Sequence, residues 1–181
     1  MRILVVQLTR LGEHEVAAVS RVIEGCLGAE VTVIPEPRPP PMVFYDWGRM
    51  QYRSDRILEW LVRLSHFEGL VLALGDVDAY VPGLNFVFGQ ADPSTGIAAV
   101  YTKRLKMGTT SVDRYLERLS KEALHEVGHL LGLGHCRDKR CVMSFSNHVG
   151  EVDYKNAMFC RKCAAQLESS GLRVSCVLAE G

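Results

Sequence analysis

The segment 125–135, His-Glu-Val-Gly-His-Leu-Leu-Gly-Leu-Gly-His, restricts what this chain can fold into more than any other stretch. On a helix, His125 and His129 lie about 6 Å apart along the axis and about 40° apart around it, so their imidazoles can meet one ion. If the helix continued, His135 would stand about 9 Å further on and nearly on the opposite side. A single metal therefore requires the helix to stop and fold back between His129 and His135. Gly132 suits a left-handed helix terminus, and Gly134 adds freedom just before the third histidine.

Three histidine ligands leave a fourth position for water, the arrangement of a catalytic rather than a closed zinc site. Glu126 follows the first ligand and is expected to face the open position without binding the metal. It is then the general base that takes a proton from the attacking water and passes it to the leaving amine. Hydrolysis of a peptide bond fits this set best. Hydrolysis of another amide uses the same machinery, and a different class, a zinc-stabilised peptide-binding module with a latent site, is the alternative. Glu126 speaks against the latter, since a purely structural metal has no need of it.

Five of the six cysteines fall in the last third, four of them as Cys136-x4-Cys141 and Cys160-x2-Cys163. Four thiolates make a closed tetrahedral zinc site, so two Zn2+ per chain are expected, one catalytic and one structural. Cys136 adjoins His135, and the structural zinc would thereby position the third catalytic ligand. Cys26 lies on the inner stripe of its helix and reads as a buried hydrophobe. Cys176 has no assignable partner. The N-terminal apolar run, broken at Thr9-Arg10, fits a buried strand better than a signal peptide. A reducing cytoplasmic location without disulfides is the expectation.

At 181 residues the chain can bury one good core. Lys plus Arg and Asp plus Glu both number 21, which removes any electrostatic reason to expect nucleic acid or an anionic membrane surface. No run approaches the ~18 apolar residues of a membrane span. A peptide or protein substrate is the expected partner, and the chain is expected to act as a monomer.

Along the chain, residues 2–8, 31–34 and 70–74 read as buried strands. Helices are expected over about 13–26, and from a Ser54 cap through Ile57, Leu61 and Leu64 to Gly69. This β-α-β-α-β order argues for a parallel sheet. Two further strands, Leu84 to Phe88 and Ile97 to Thr102, surround a turn at 92–96 and are close enough to pair antiparallel. The stretch 35–53 carries five prolines and reads as a long irregular loop. A long helix begins near Thr110-Ser111 with Val112, Leu116, Leu119, Ala123, Val127 and Leu130 inward, and a last helix covers about 156–169. Tyr45, Tyr52 and Tyr101 could each reach a tetrahedral intermediate. Asp76 and Asp78 could cap loops or touch substrate. His14 and His66 read as exposed, and His148 as a loop residue that could border the cleft.

The run His-Glu-x-x-His-x-x-Gly-x-x-His-Cys-x4-Cys-x-Met, followed by Cys160-x2-Cys163, resembles the archaemetzincin family of the metzincin clan of zinc metallopeptidases. The resemblance implies His125, His129 and His135 as ligands, Glu126 as general base and acid, and Met143 as the methionine of a turn beneath the metal. It also implies an α/β fold with a twisted, mixed, mostly parallel sheet of about five strands and an antiparallel edge strand above the cleft. Leu84 to Gly89 is the candidate for that edge, pairing with extended substrate. One catalytic domain over 1–181 is expected. Within it, 1–135 carry the sheet and active-site helix, and 136–181 form a small subdomain with the Met-turn and the four-cysteine site.

Overall fold

A computed structural model describes residues 1–179. The strands β1 (Arg2–Gln7), β2 (Glu30–Ile34), β3 (Tyr45–Asp46), β4 (Gln51–Arg53), β5 (Leu70–Gly75), β6 (Ala79–Tyr80), β7 (Gly89–Asp92) and β8 (Ile97–Tyr101) form two sheets. The main sheet has five strands in the order β2-β1-β5-β8-β7. β1, β2, β5 and β8 run parallel, and β7 runs antiparallel to β8 at the edge. Side chains alternate between two faces, as a period of two demands. Ile3, Val5, Leu72, Leu74, Ala98 and Val100 face one core, and Val6, Leu8, Val71, Ala73, Ile97 and Ala99 face the other.

The first face is covered by α1 (Glu13–Leu27) and α3 (Val112–Leu130), the second by α2 (Ser54–Leu64). In α1, Val19, Ile23, Cys26 and Leu27 supply the buried stripe. In α2, Ile57, Leu58 and Leu61 do so. Ser54 does not cap α2. Arg53 takes that place, and the Ser54 hydroxyl is spent 2.7 Å from the Tyr101 hydroxyl inside the core. α3 begins as expected, with the Ser111 hydroxyl accepting from the Arg114 amide at 3.3 Å.

Besides the Ser54 cap, three expectations need correction. The stretch 35–53 is not all loop: after a 3-10 turn at Met42–Phe44, β3 and β4 pair antiparallel and β4 joins β6 in a small second sheet. Strands of two or three residues among prolines are too short to show a period. The edge strand is Gly89–Asp92 rather than Leu84 to Phe88. Of residues 84–88, Val87 bridges to the small sheet, its amide donating to the Ala79 carbonyl at 2.9 Å, and Phe88 meets β8 through its carbonyl, which accepts from the Tyr101 amide at 2.8 Å. The last helical region is split into α4 (Val149–Tyr154) and α5 (Arg161–Ser169). The Asn156 and Val142 amides donate to the Arg140 and Met158 carbonyls at 2.9 and 2.8 Å, so residues 156–158 run alongside 140–142 instead of coiling.

A fourth correction concerns the cysteines. Cys26 on α1 and Cys176 in the C-terminal tail form a disulfide. The tail arrives there by backbone pairing: the Ser175 amide donates to the Cys26 carbonyl at 2.8 Å, and the Phe159 amide to the Cys176 carbonyl at 2.9 Å. Among the described residues, no helix is long and apolar enough to cross a membrane.

Candidate metal centre and cleft

The C-terminal turns of α3 carry His125, Glu126 and His129, and the helix ends where glycine permits. Gly132 has φ +91°, the Gly132 amide donates to the His129 carbonyl, and the Leu133 amide donates to the Gly128 carbonyl, each at 3.0 Å. These two bonds close a Schellman terminus and turn the chain back on itself. His135 is thereby returned to the other two: its ring centre lies 4.8 Å from that of His129 and 5.5 Å from that of His125. The Nε2 atoms of His125 and His129 are 3.0 Å apart, and one nitrogen from each of the three rings lies within 4.8 Å of the others.

Each helical imidazole is oriented through its second nitrogen. His125 Nδ1 meets the Val142 carbonyl and His129 Nδ1 the Leu133 carbonyl, both at 2.8 Å. A carbonyl at Nδ1 requires the proton there and leaves Nε2 with a free lone pair. Burial holds all three imidazoles below their ordinary pKa, His125 furthest. Neutral imidazoles converging in this way are the donor set that zinc takes.

The histidines open on a cleft of about 860 Å³. Its apolar lining includes Leu84, Phe86, Phe88, Leu133 and Phe145. Phe145 packs edge-on against His135, with ring centres 5.0 Å apart. Glu126 is buried under the edge strand, where a β-carbon on Gly89 would come within 2.5 Å of its Oε1. Burial, reinforced by the nearby charge of Glu122, pushes its carboxyl well above the usual range, and Lys155 opposes the rise.

A second cluster begins at Cys136, the residue after His135. The sulfurs of Cys136, Cys141, Cys160 and Cys163 all lie within 4.8 Å of one another. Cys136 and Cys160 are 3.7 Å apart, and the Cys160 amide donates to the Cys141 sulfur at 3.2 Å. Burial pushes the Cys141 thiol up to about 11. Four converging sulfurs fit a closed tetrahedral ion. Cys136 also donates its amide to the Met143 carbonyl at 2.9 Å, which joins this cluster to the 142–144 segment that holds His125 through the Val142 carbonyl.

The model of peptidase family M54 matches residues 40–169. The archaemetzincin of Aeropyrum pernix is 47% identical over 136 residues, 73% of each chain. The chain belongs to peptidase family M54, the archaemetzincins. Among solved structures, the archaemetzincin of Methanopyrus kandleri superposes with a TM-score of 0.84 at 38% identity, over 93% of this chain and 94% of that one. A zinc-dependent peptidase from Methanocorpusculum labreanum gives 0.83 at 29% identity, over 91% and 99%. The chain is thus a zinc-dependent metallopeptidase with an archaemetzincin fold.

In this archaemetzincin the other sequence candidates fall outside the cleft. Tyr101 is buried against Ser54, and Tyr45 and Tyr52 pack on each other in the small sheet. Asp76 accepts from the Thr102 hydroxyl and pairs with Lys106, while Asp78 pairs with Arg104. His148 is the exposed residue preceding α4, and His14 and His66 are exposed as expected. Gly128, Glu122, Lys155 and Phe145 were not among the sequence candidates, and Gly89 was one only as the end of the candidate edge strand. Only Glu122 left a signal, since it stands three residues before His125 on the same helix face.

Proposed function

We propose that His125, His129 and His135 hold the catalytic zinc of this peptidase and that Glu126 is its general base. The convergence of three neutral imidazoles beside a buried carboxylate carries this assignment. Held by these three histidines, a zinc ion would supply Lewis acidity to the scissile carbonyl and would make a water acidic enough to lose a proton near neutral pH. Glu126 takes that proton and delivers it to the departing amine nitrogen. Burial raises the proton affinity of this carboxyl above that of an ordinary carboxylate, which favours its role as proton acceptor. Gly89 leaves the space in which this carboxylate sits. The free edge of β7 offers backbone groups to an extended peptide. The apolar walls favour large apolar side chains around the cleaved bond.

The four cysteines hold a second, structural zinc that fastens residues 136–163, with Met143 as the turn beneath the histidines. Residues 1–135 and 136–181 act together as one catalytic domain. The deciding experiment is cleavage of a broad peptide library by zinc-loaded protein beside Glu126→Ala. Cleavage by the wild type alone is expected. Persistence in the variant would overturn the role of Glu126, and no cleavage by either with two zincs bound would favour a peptide-binding module.

A further inference from the structure

Besides His125 and Glu126, three charged side chains are buried along α3, all on the side facing α4 and the residues after it: Arg118, Lys121 and Glu122. Two of them anchor α4. Arg118 grips both carboxylate oxygens of Asp153 at 2.7 Å and donates to the Leu105 and Met107 carbonyls at 2.8 and 2.7 Å. Lys121 donates to the Asp153 carbonyl at 3.2 Å. The third, Glu122, stands at the cleft, one turn before His125 and Glu126. Its partner is Lys155, the residue that ends α4 and is only 1% exposed. The Lys155 ammonium lies 2.7 Å from Glu122 Oε1, off the hydrogen-bonding direction, and donates to the Ser144 carbonyl at 3.3 Å.

These contacts close a ring. From Glu122 the helix leads to His125, whose Nδ1 meets the Val142 carbonyl at 2.8 Å. Two residues later, Ser144 accepts from Lys155, which returns to Glu122. Met143, the residue beneath the histidines, lies between the two carbonyls of this ring. The Val142 carbonyl sets the tautomer and tilt of His125, and Lys155 tethers the same short segment to the same helix face. Stability gives little reason for such a pair, because two buried charges lose about as much hydration as their attraction returns.

Given the three-histidine site proposed above, we propose that Glu122 and Lys155 are positioning residues for the peptidase reaction. They lock the 142–144 turn to α3 so that His125 presents Nε2 to the metal at a fixed angle. The position of Lys155 is set in advance by the Arg118–Asp153 anchor one turn up the helix. Neither residue needs to touch substrate.

The test is the double variant Glu122→Met/Lys155→Met, which replaces the pair by apolar side chains of similar length and leaves no lone buried charge. Lys155→Met alone would strand the Glu122 carboxylate and could fail to fold for that reason. Zinc affinity of the histidine site, read by chelator competition, is expected to fall about 10- to 100-fold, the usual loss when support behind a ligand is removed. The four-cysteine site should stay loaded. The d–d spectrum of cobalt at the histidine site should change shape, and kcat should fall with KM little altered. Wild-type zinc affinity, cobalt spectrum and kcat in a folded double variant would overturn the proposal, even with a lowered melting temperature. Failure of the double variant to fold would overturn it too, by making the pair a folding element. A wild-type control binding one zinc per chain would sink the three-histidine assignment instead.

Discussion

The sulfur of Met143 lies against the Cα of Gly128, so that any side chain at position 128 would occupy the space the sulfur fills. Gly128 sits between Glu126 and His129 on α3, and its bare backbone lets the turn come up beneath the histidines.

Gly128→Ala is therefore expected to destabilise the protein, although alanine ordinarily favours a helix interior by about 1 kcal/mol over glycine. Overpacking of this kind costs about 1–3 kcal/mol. Denaturant unfolding should show the loss, and peptidase activity should fall with it as Met143 is pushed away. A more stable variant would contradict the contact.

Gly89→Ala has a different signature. Its β-carbon would meet Glu126 Oε1 at 2.5 Å and the Ala99 carbonyl at 2.8 Å. The carboxylate must move, while the histidines keep their carbonyl partners. The expected result is a full complement of zinc with kcat reduced at least about tenfold, given how sharply rates respond to misplacement of a reacting group. Metal analysis beside steady-state kinetics checks it.

Cys160→Ser should remove one zinc per chain and lower stability before it touches chemistry. Cys160 contributes a sulfur and, through its amide, supports Cys141. Loss of activity should follow the loss of structure, because Cys136 is joined both to His135 and to the Met143 carbonyl. A variant with two metals and wild-type stability would sink the idea.

The Arg118–Asp153 pair predicts part of the acid sensitivity. The Arg118 guanidinium holds the Asp153 carboxyl below its ordinary value of 3.8. An unfolded chain takes up that proton at a higher pH than the folded one. The stabilisation is therefore whole above about pH 3.8 and is lost as pH falls through the lower, folded value. Asp153→Asn should cost about 3–5 kcal/mol near neutrality, since it strands a buried guanidinium, and should flatten this part of the pH profile. Unfolding free energies measured from pH 6 downward would show both.

Reduction of the Cys26–Cys176 disulfide should also lower stability. It joins residues 150 apart, and cross-links of long loops typically contribute about 2–4 kcal/mol. Unfolding with and without a thiol reductant, compared with Cys26→Ser, separates the bond from other effects of the reductant.

Much of the site was legible because it is local. The histidine spacing, the glycine at which α3 must break and the four clustered cysteines lie within 39 residues, 125–163. Helical geometry alone shows that His135 needs Gly132. The alternation of β1, α1, β2, α2 and β5 was equally open, since each buries a face with its own period. The choice of edge strand was not. Leu84 to Phe88 is the more apolar run, but its residues line the cleft, and the less apolar Gly89–Asp92 makes the ladder to β8.

The sequence by itself determined the donors, their spacing and the place where the active-site helix ends, because these follow from the pitch of one helix and the freedom of one glycine. Only the tertiary structure decided that Met143 meets Gly128, that Gly89 shelters Glu126, that Lys155 reaches Glu122 and that Cys26 finds Cys176. Those pairs join elements far apart in the chain. No periodicity links them, and their meeting depends on how whole helices and strands pack.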